Sequence, residues 1–281
     1  MFSARVRRYF RLSQIMFAIT GVLFGILLSV VSNYLSDQWA STLPWVAALF
    51  GVCIVITIVI KFRHPPGVEV VIRSPRTLDD PSESINYARR GFVGFVPSYH
   101  LPNQSLSKVE IKQAVEDLDF DRLHIEDSNL KPTIHAVLSH ASRLEHCWLI
   151  ATSGKKTAGS LPYAHLLVEY LKQRKNISCE FHYGENYAII MDNDALVLGK
   201  TYDQVRRVFS EAENPPISIP AKEMVANIIT GVRSMTLGMV LTSLDGDRDI
   251  EFIGTHYDDF GNPTGDLLPI TFSFEPKLDK D

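Results

Sequence analysis

The chain has 281 residues and a net charge of -4, unevenly spread. Residues 1–66 hold six Lys/Arg and one Asp, hence +5; the remaining 22 basic and 31 acidic residues give -9. That acidic excess argues against gripping duplex nucleic acid, and three scattered cysteines with no C-x-x-C argue against a disulfide framework, a zinc knuckle or a redox pair.

Two apolar runs open the chain. Residues 15–31 are nearly free of polar side chains and extend to 35, and residues 45–60 carry no ionisable group. About 20 helical residues cross a bilayer core, so spans of 15–35 and 43–60 are predicted. Arg5, Arg7, Arg8 and Arg11 precede them, Lys61 and Arg63 follow, and the connection holds only Asp37. This bias predicts a multi-pass protein of the inner membrane with both termini cytoplasmic. The first run exceeds a signal-peptide core, and no small-x-small cleavage site follows. Gly21, Gly25 and Ser29 fall four apart and form a candidate helix-packing face.

Pro65-Pro66-Gly67 ends the second span and divides the chain into 1–66 and 67–281. Beyond it, 68–72 reads as a short strand and 92–96 as an apolar one. Residues 106–118 read as a helix capped by Ser107 with Glu110 three positions on. A helix at 132–144 and a strand at 147–152 follow. The helix at 162–175 starts with Pro162 and ends with Lys172, Arg174 and Lys175, as its dipole favours. Strands are predicted at 177–183, 187–191, 224–229 and 250–254, and helices at 202–212 and 235–244; the tail from 277 is predicted to fray. Strands alternating with helices predict a Rossmann-like α/β domain with a mostly parallel sheet covered on both faces.

In such a sheet ligands sit beyond the carboxyl ends of the strands. Three strand-to-helix loops qualify: Pro97-Ser98-Tyr99-His100, Ser153-Gly154-Lys155-Lys156-Thr157, and Thr230-Gly231-Val232-Arg233-Ser234. The second and third combine glycine, hydroxyl and cation, a composition that brings backbone amides to a phosphate and neutralises it.

The stretch from Val225 to Val240 resembles the signature of CARF domains, the CRISPR-associated Rossmann folds that bind cyclic oligoadenylates. Gly231, Arg233, Met235 and Gly238 match in order; Asn227 stands where the family has Asp, and Thr230 and Val232 where Gly and Thr are usual. The resemblance implies a homodimer or higher homo-oligomer with a shared groove. Ser98 and Tyr99 would meet base or ribose, and Gly231, Arg233 and Ser234 would hold phosphate. Lys155 and Lys156 enter on charge and position alone. With membrane spans, the chain resembles the membrane effectors of type III CRISPR and related antiphage systems, which alter membrane integrity or polarity in antiviral defence.

Two other readings stay open: a membrane-bound ring nuclease that cuts the same ligand, and a membrane scaffold whose Rossmann-like domain binds a protein. No cofactor motif is present. Gly154-Lys155 fails the P-loop pattern because Leu149 replaces its first glycine and Lys156 its Ser/Thr. Residues 245–249 begin like a calcium loop but lack its glycine and glutamate. There is no nucleophile elbow, and the nine histidines form no ligand-spaced set, so neither a catalytic residue nor a metal is predicted.

Overall fold

The computed structural model describes residues 68–72, 76–77, 87–102, 106–154, 159–244, 246 and 248–278. It divides into two compact units, one of 1–70 with 276–281 and one of Val71–Glu275, which holds the α/β domain. The strands are β1 (Val68–Ile72), β2 (Arg76–Thr77), β3 (Gly91–Phe95), β4 (His146–Ser153), β5 (Glu180–His182), β6 (Ala188–Ile190), β7 (Met224–Asn227), β8 (Asp249–Tyr257) and β9 (Pro263–Leu278). The helices are α1 (Lys108–Glu116), α2 (Lys131–Ser139), α3 (Leu161–Lys175), α4 (Asp194–Glu213) and α5 (Arg233–Ser243).

Within the α/β domain the strand order runs β9-β8-β7-β3-β4-β5, with β2 beside β9 and β6 beside β4. From β8 to β5 every pair is parallel. The β8–β9 and β2–β9 pairs are antiparallel, which corrects the expected mostly parallel sheet to a mixed one. The cause is a turn at 258–262, where the Asp258 carboxylate accepts from the amides of Phe260 and Asn262 and Gly261 adopts φ +78°. That local cap sends the chain straight back along β8.

Side chains alternate across the central strands, so each strand feeds two cores. Phe92, Cys147, Leu149, Ala151 and Val225 pack under α2 and α3. Val93, Phe95, Trp148, Ile150, Met224 and Ala226 pack under α4 and α5. Gly238 lets the second layer close up: a Cβ there would lie 2.9 Å from Thr201 Cβ and 3.0 Å from the Leu198 carbonyl, both in α4. The helix starts follow local chemistry. Ser107 and Glu110 form a reciprocal capping box on α1, and the Asn193 side chain accepts from the Leu196 amide at the start of α4.

The structure contradicts the expected transmembrane hairpin and multi-pass inner-membrane location. Among the described residues no helix is long and apolar enough to cross a membrane. The longest, α4, is broken up by Lys200, Asp203, Arg206 and Arg207 and is amphipathic. The predicted spans, with Gly21, Gly25 and Ser29, lie outside the described residues.

Candidate ligand site at the carboxyl edge of the sheet

The chain leaves β3 for β4 and β5 on one side, then returns through α4 to lay β7 on the other side of β3. The order therefore reverses between β3 and β7, and the loops leaving them border a crevice at the carboxyl edge. Register fixes their closeness: Gly94 pairs with Asn227, and Phe95 pairs with Ile150 of β4.

The loop after β7 is held by four contacts. The Ile228 amide donates to the Glu251 carbonyl at 2.8 Å, and the Ile229 amide to Asn227 Oδ1 at 3.2 Å. Thr230 Oγ1 donates to the Phe95 carbonyl at 2.6 Å, a stitch across the mouth of the crevice. Gly231 has φ +107° and backs onto the Phe95 ring, where a Cβ would sit 3.0 Å from Cδ2. A side chain there would be strained as well as crowded. Val232 then caps α5 without a side-chain hydrogen bond, and Arg233 opens the helix at an exposed position. Arg233 forms no ion pair with any described residue. Ser234 is half-buried behind it.

The loop after β3 is braced by Asn129. Its Nδ2 donates to the Ser98 carbonyl at 2.8 Å, and its Oδ1 accepts from the His100 amide at 2.7 Å. Ser98 is exposed beside the crevice. Tyr99 is placed differently from the expectation that the resemblance raised. It is 8% exposed, its hydroxyl donates to the Leu123 carbonyl at 2.5 Å, and burial raises its pKa. Its role here is to anchor the loop to the core.

After β4, Ser153 and Gly154 are half-buried at the same edge. The loop is pinched at its base, where the Thr152 amide donates to Ser160 Oγ at 2.8 Å and the Ser160 amide to the Thr152 carbonyl at 2.9 Å. Lys155 and Lys156 lie outside the described residues.

Beneath the crevice lies a buried polar cluster that sequence reading missed. Glu251 of β8 is fully buried. Its Oε2 accepts from the Tyr87 hydroxyl at 2.7 Å, His140 Nε2 at 2.9 Å and Ser139 Oγ at 3.3 Å; its Oε1 accepts from Asn227 Nδ2 at 2.7 Å. His140 Nδ1 accepts from the Arg89 amide at 3.1 Å, which leaves the ring proton on Nε2, directed at Glu251. Asn227 joins the cluster to the site, because its other side-chain atom holds the Ile229 amide. An amide at 227 has a physical reason: a carboxylate there would face Glu251 at hydrogen-bond distance. Polar residues two apart in β8, Asp249 and Glu251, were the available signal; their partners come from distant segments and carry none.

A separate cleft of about 410 Å³ is lined by Phe120, Asp121, His124, Tyr170 and Arg174 among others. It is formed by residues 120–127 with Tyr170 and Arg174 of α3, and its carboxylates, Asp121, Glu126 and Asp127, are wrong for phosphate. No family model matches the chain, and no curated protein is significantly similar to it.

Proposed function

We propose that the α/β domain is a receptor for a phosphate-bearing cyclic oligonucleotide, of the cyclic oligoadenylate type that the CARF-like stretch at 225–240 implies. The observation that carries this reading is the convergence of the Ser98 loop and the Thr230–Ser234 loop at the reversal of strand order, with Arg233 exposed at the start of α5. An uncapped helix start supplies amide donors and partial positive charge, and a guanidinium supplies planar, charge-assisted hydrogen bonds to phosphate oxygens. The domain's net acidity does not oppose this, since the potential is local.

Titration of the full chain with cyclic tri-, tetra- and hexa-adenylate tests the reading. At one hundred times its dissociation constant a true ligand stabilises the fold by about 2.7 kcal/mol. Arg233→Ala is expected to weaken binding by roughly 1.5–3 kcal/mol, the scale of a charge-assisted hydrogen bond. Arg233→Ala binding as tightly as wild type would move the site elsewhere. Linear products accumulating on incubation would favour the ring-nuclease reading.

A further inference from the structure

A second cluster of chemistry-bearing side chains lies at the opposite edge of the sheet. His146 opens β4, and β5 is Glu180-Phe181-His182. The parallel register sets Glu180 opposite His146 and His182 opposite Trp148. Positions two apart share a face of a strand, so His146, Glu180 and His182 project together. His146 Nδ1 and His182 Nε2 face each other at 3.0 Å. A Glu180 carboxylate oxygen lies 3.6 Å from the first and the other 4.0 Å from the second. The three donor atoms fall within 4.8 Å of one another.

From these atoms we propose that His146, His182 and Glu180 bind a divalent transition-metal ion of the zinc type. Tetrahedral zinc with bonds of roughly 2.0–2.1 Å holds its ligand atoms about 3.3 Å apart, a spacing that the observed separations bracket. Two imidazoles and one carboxylate suit zinc and its neighbours over calcium or magnesium, and leave a fourth position for solvent. Seating the ion needs the two rings to hinge slightly apart and Glu180, whose side chain is 67% exposed, to turn inward.

The surroundings are arranged as a metal-binding histidine needs. Glu211 Oε1 lies 3.6 Å from the other nitrogen of His182, Nδ1, and favours a proton there, which leaves the Nε2 lone pair facing His146. Glu211 is itself fixed, accepting from Trp148 Nε1 at 3.2 Å and the Tyr187 hydroxyl at 2.8 Å. The Trp148 ring lies parallel to His182 with centroids 4.6 Å apart and holds its plane. Without an ion, His146 donates its Nδ1 proton to His182. With one, that proton moves to His146 Nε2 and both facing nitrogens become ligands.

Cobalt(II) and zinc(II) titrations of the full chain test the site. One Co²⁺ per chain should give visible ligand-field bands of tetrahedral type, displaced by Zn²⁺, and Zn²⁺ should raise the melting temperature. His182→Gln should abolish the bands. Glu180→Gln, at an exposed position and with its fold checked by far-UV circular dichroism, should weaken Zn²⁺ at least tenfold. Glu211→Gln, acting through His182, should weaken it by roughly 10–100-fold. A wild-type chain with no ligand-field bands at saturating Co²⁺, or unchanged Zn²⁺ affinity in Glu180→Gln, would overturn the proposal and leave a histidine pair sharing one proton.

Discussion

Asn227 shows how one side chain ties the candidate site to the core. It gives an amide hydrogen to Glu251 and takes one from the loop that carries Gly231 and Arg233. Only an amide side chain does both beside a buried carboxylate. Asn227→Asp would set two carboxylates together away from water and should cost roughly 2–4 kcal/mol of stability, the scale of an uncompensated buried charge. Adding Glu251→Gln removes the repulsion, so the double variant should recover part of the loss, with a coupling of roughly 0.5–3 kcal/mol by urea denaturation. Additive losses would mean that the two side chains do not interact. Residue types were a fair guide to some of this chemistry and a poor one elsewhere. Glycine, hydroxyl and arginine at 230–234 were visible as a loop composition. Tyr99 was not distinguishable in sequence as an anchor, because its partner, the Leu123 carbonyl, is 24 positions away and carries no side-chain signal. His146 and His182 were missed for a like reason: their pairing comes from strand register, not from spacing along the chain.

Among the elements, α4 and α5 depend on one another most closely. Gly238 and Gly199 make opposite predictions from the same residue type. Gly238 touches the backbone and Thr201 of α4, so Gly238→Val should destabilise by roughly 1–3 kcal/mol through overpacking. Gly199 lies on the exposed side of α4 with nothing within 4 Å of an added Cβ. Gly199→Ala should therefore stabilise by roughly 0.8–1.0 kcal/mol from helix propensity alone. Denaturation midpoints for the two variants should move in opposite directions; movement in the same direction would disprove the helix contact. The spacing of apolar residues was enough to read the existence of α1, α3, α5, β3, β4 and β7. It placed the start of α4 eight residues late, at 202 in place of Asp194, because Ala195–Leu198 is a continuous apolar run ended by Gly199 and shows no helical period. β9 went unread altogether. Its company on β8 was set by the turn at Asp258–Asn262, whose hydrogen bonds are local but whose consequence is a pairing that periodicity does not report.

At the scale of the whole described unit, stability should be graded across the sheet. β3, β4 and β7 are buried on both faces, whereas the β8–β9 tip at residues 257–266 is exposed throughout. Hydrogen exchange should be slowest for amides of 91–95, 147–151 and 224–227 and fast at 258–262. Comparable protection at the tip would imply a covering partner there. The three-layer order was legible from alternation of strands and helices; the antiparallel edge was not.

The β3–β7 pair has a further consequence for how the molecule is made. It joins Gly91 to Met224, whereas β3 meets β4 across the shorter span from Gly91 to His146. Contacts between distant positions are entropically late, since the intervening chain must first be gathered. The crevice is therefore finished only when the second half of the domain docks on the first. A molecule recognised across it, as proposed above, would meet the completed chain alone and so act as a check on assembly rather than as a template for it.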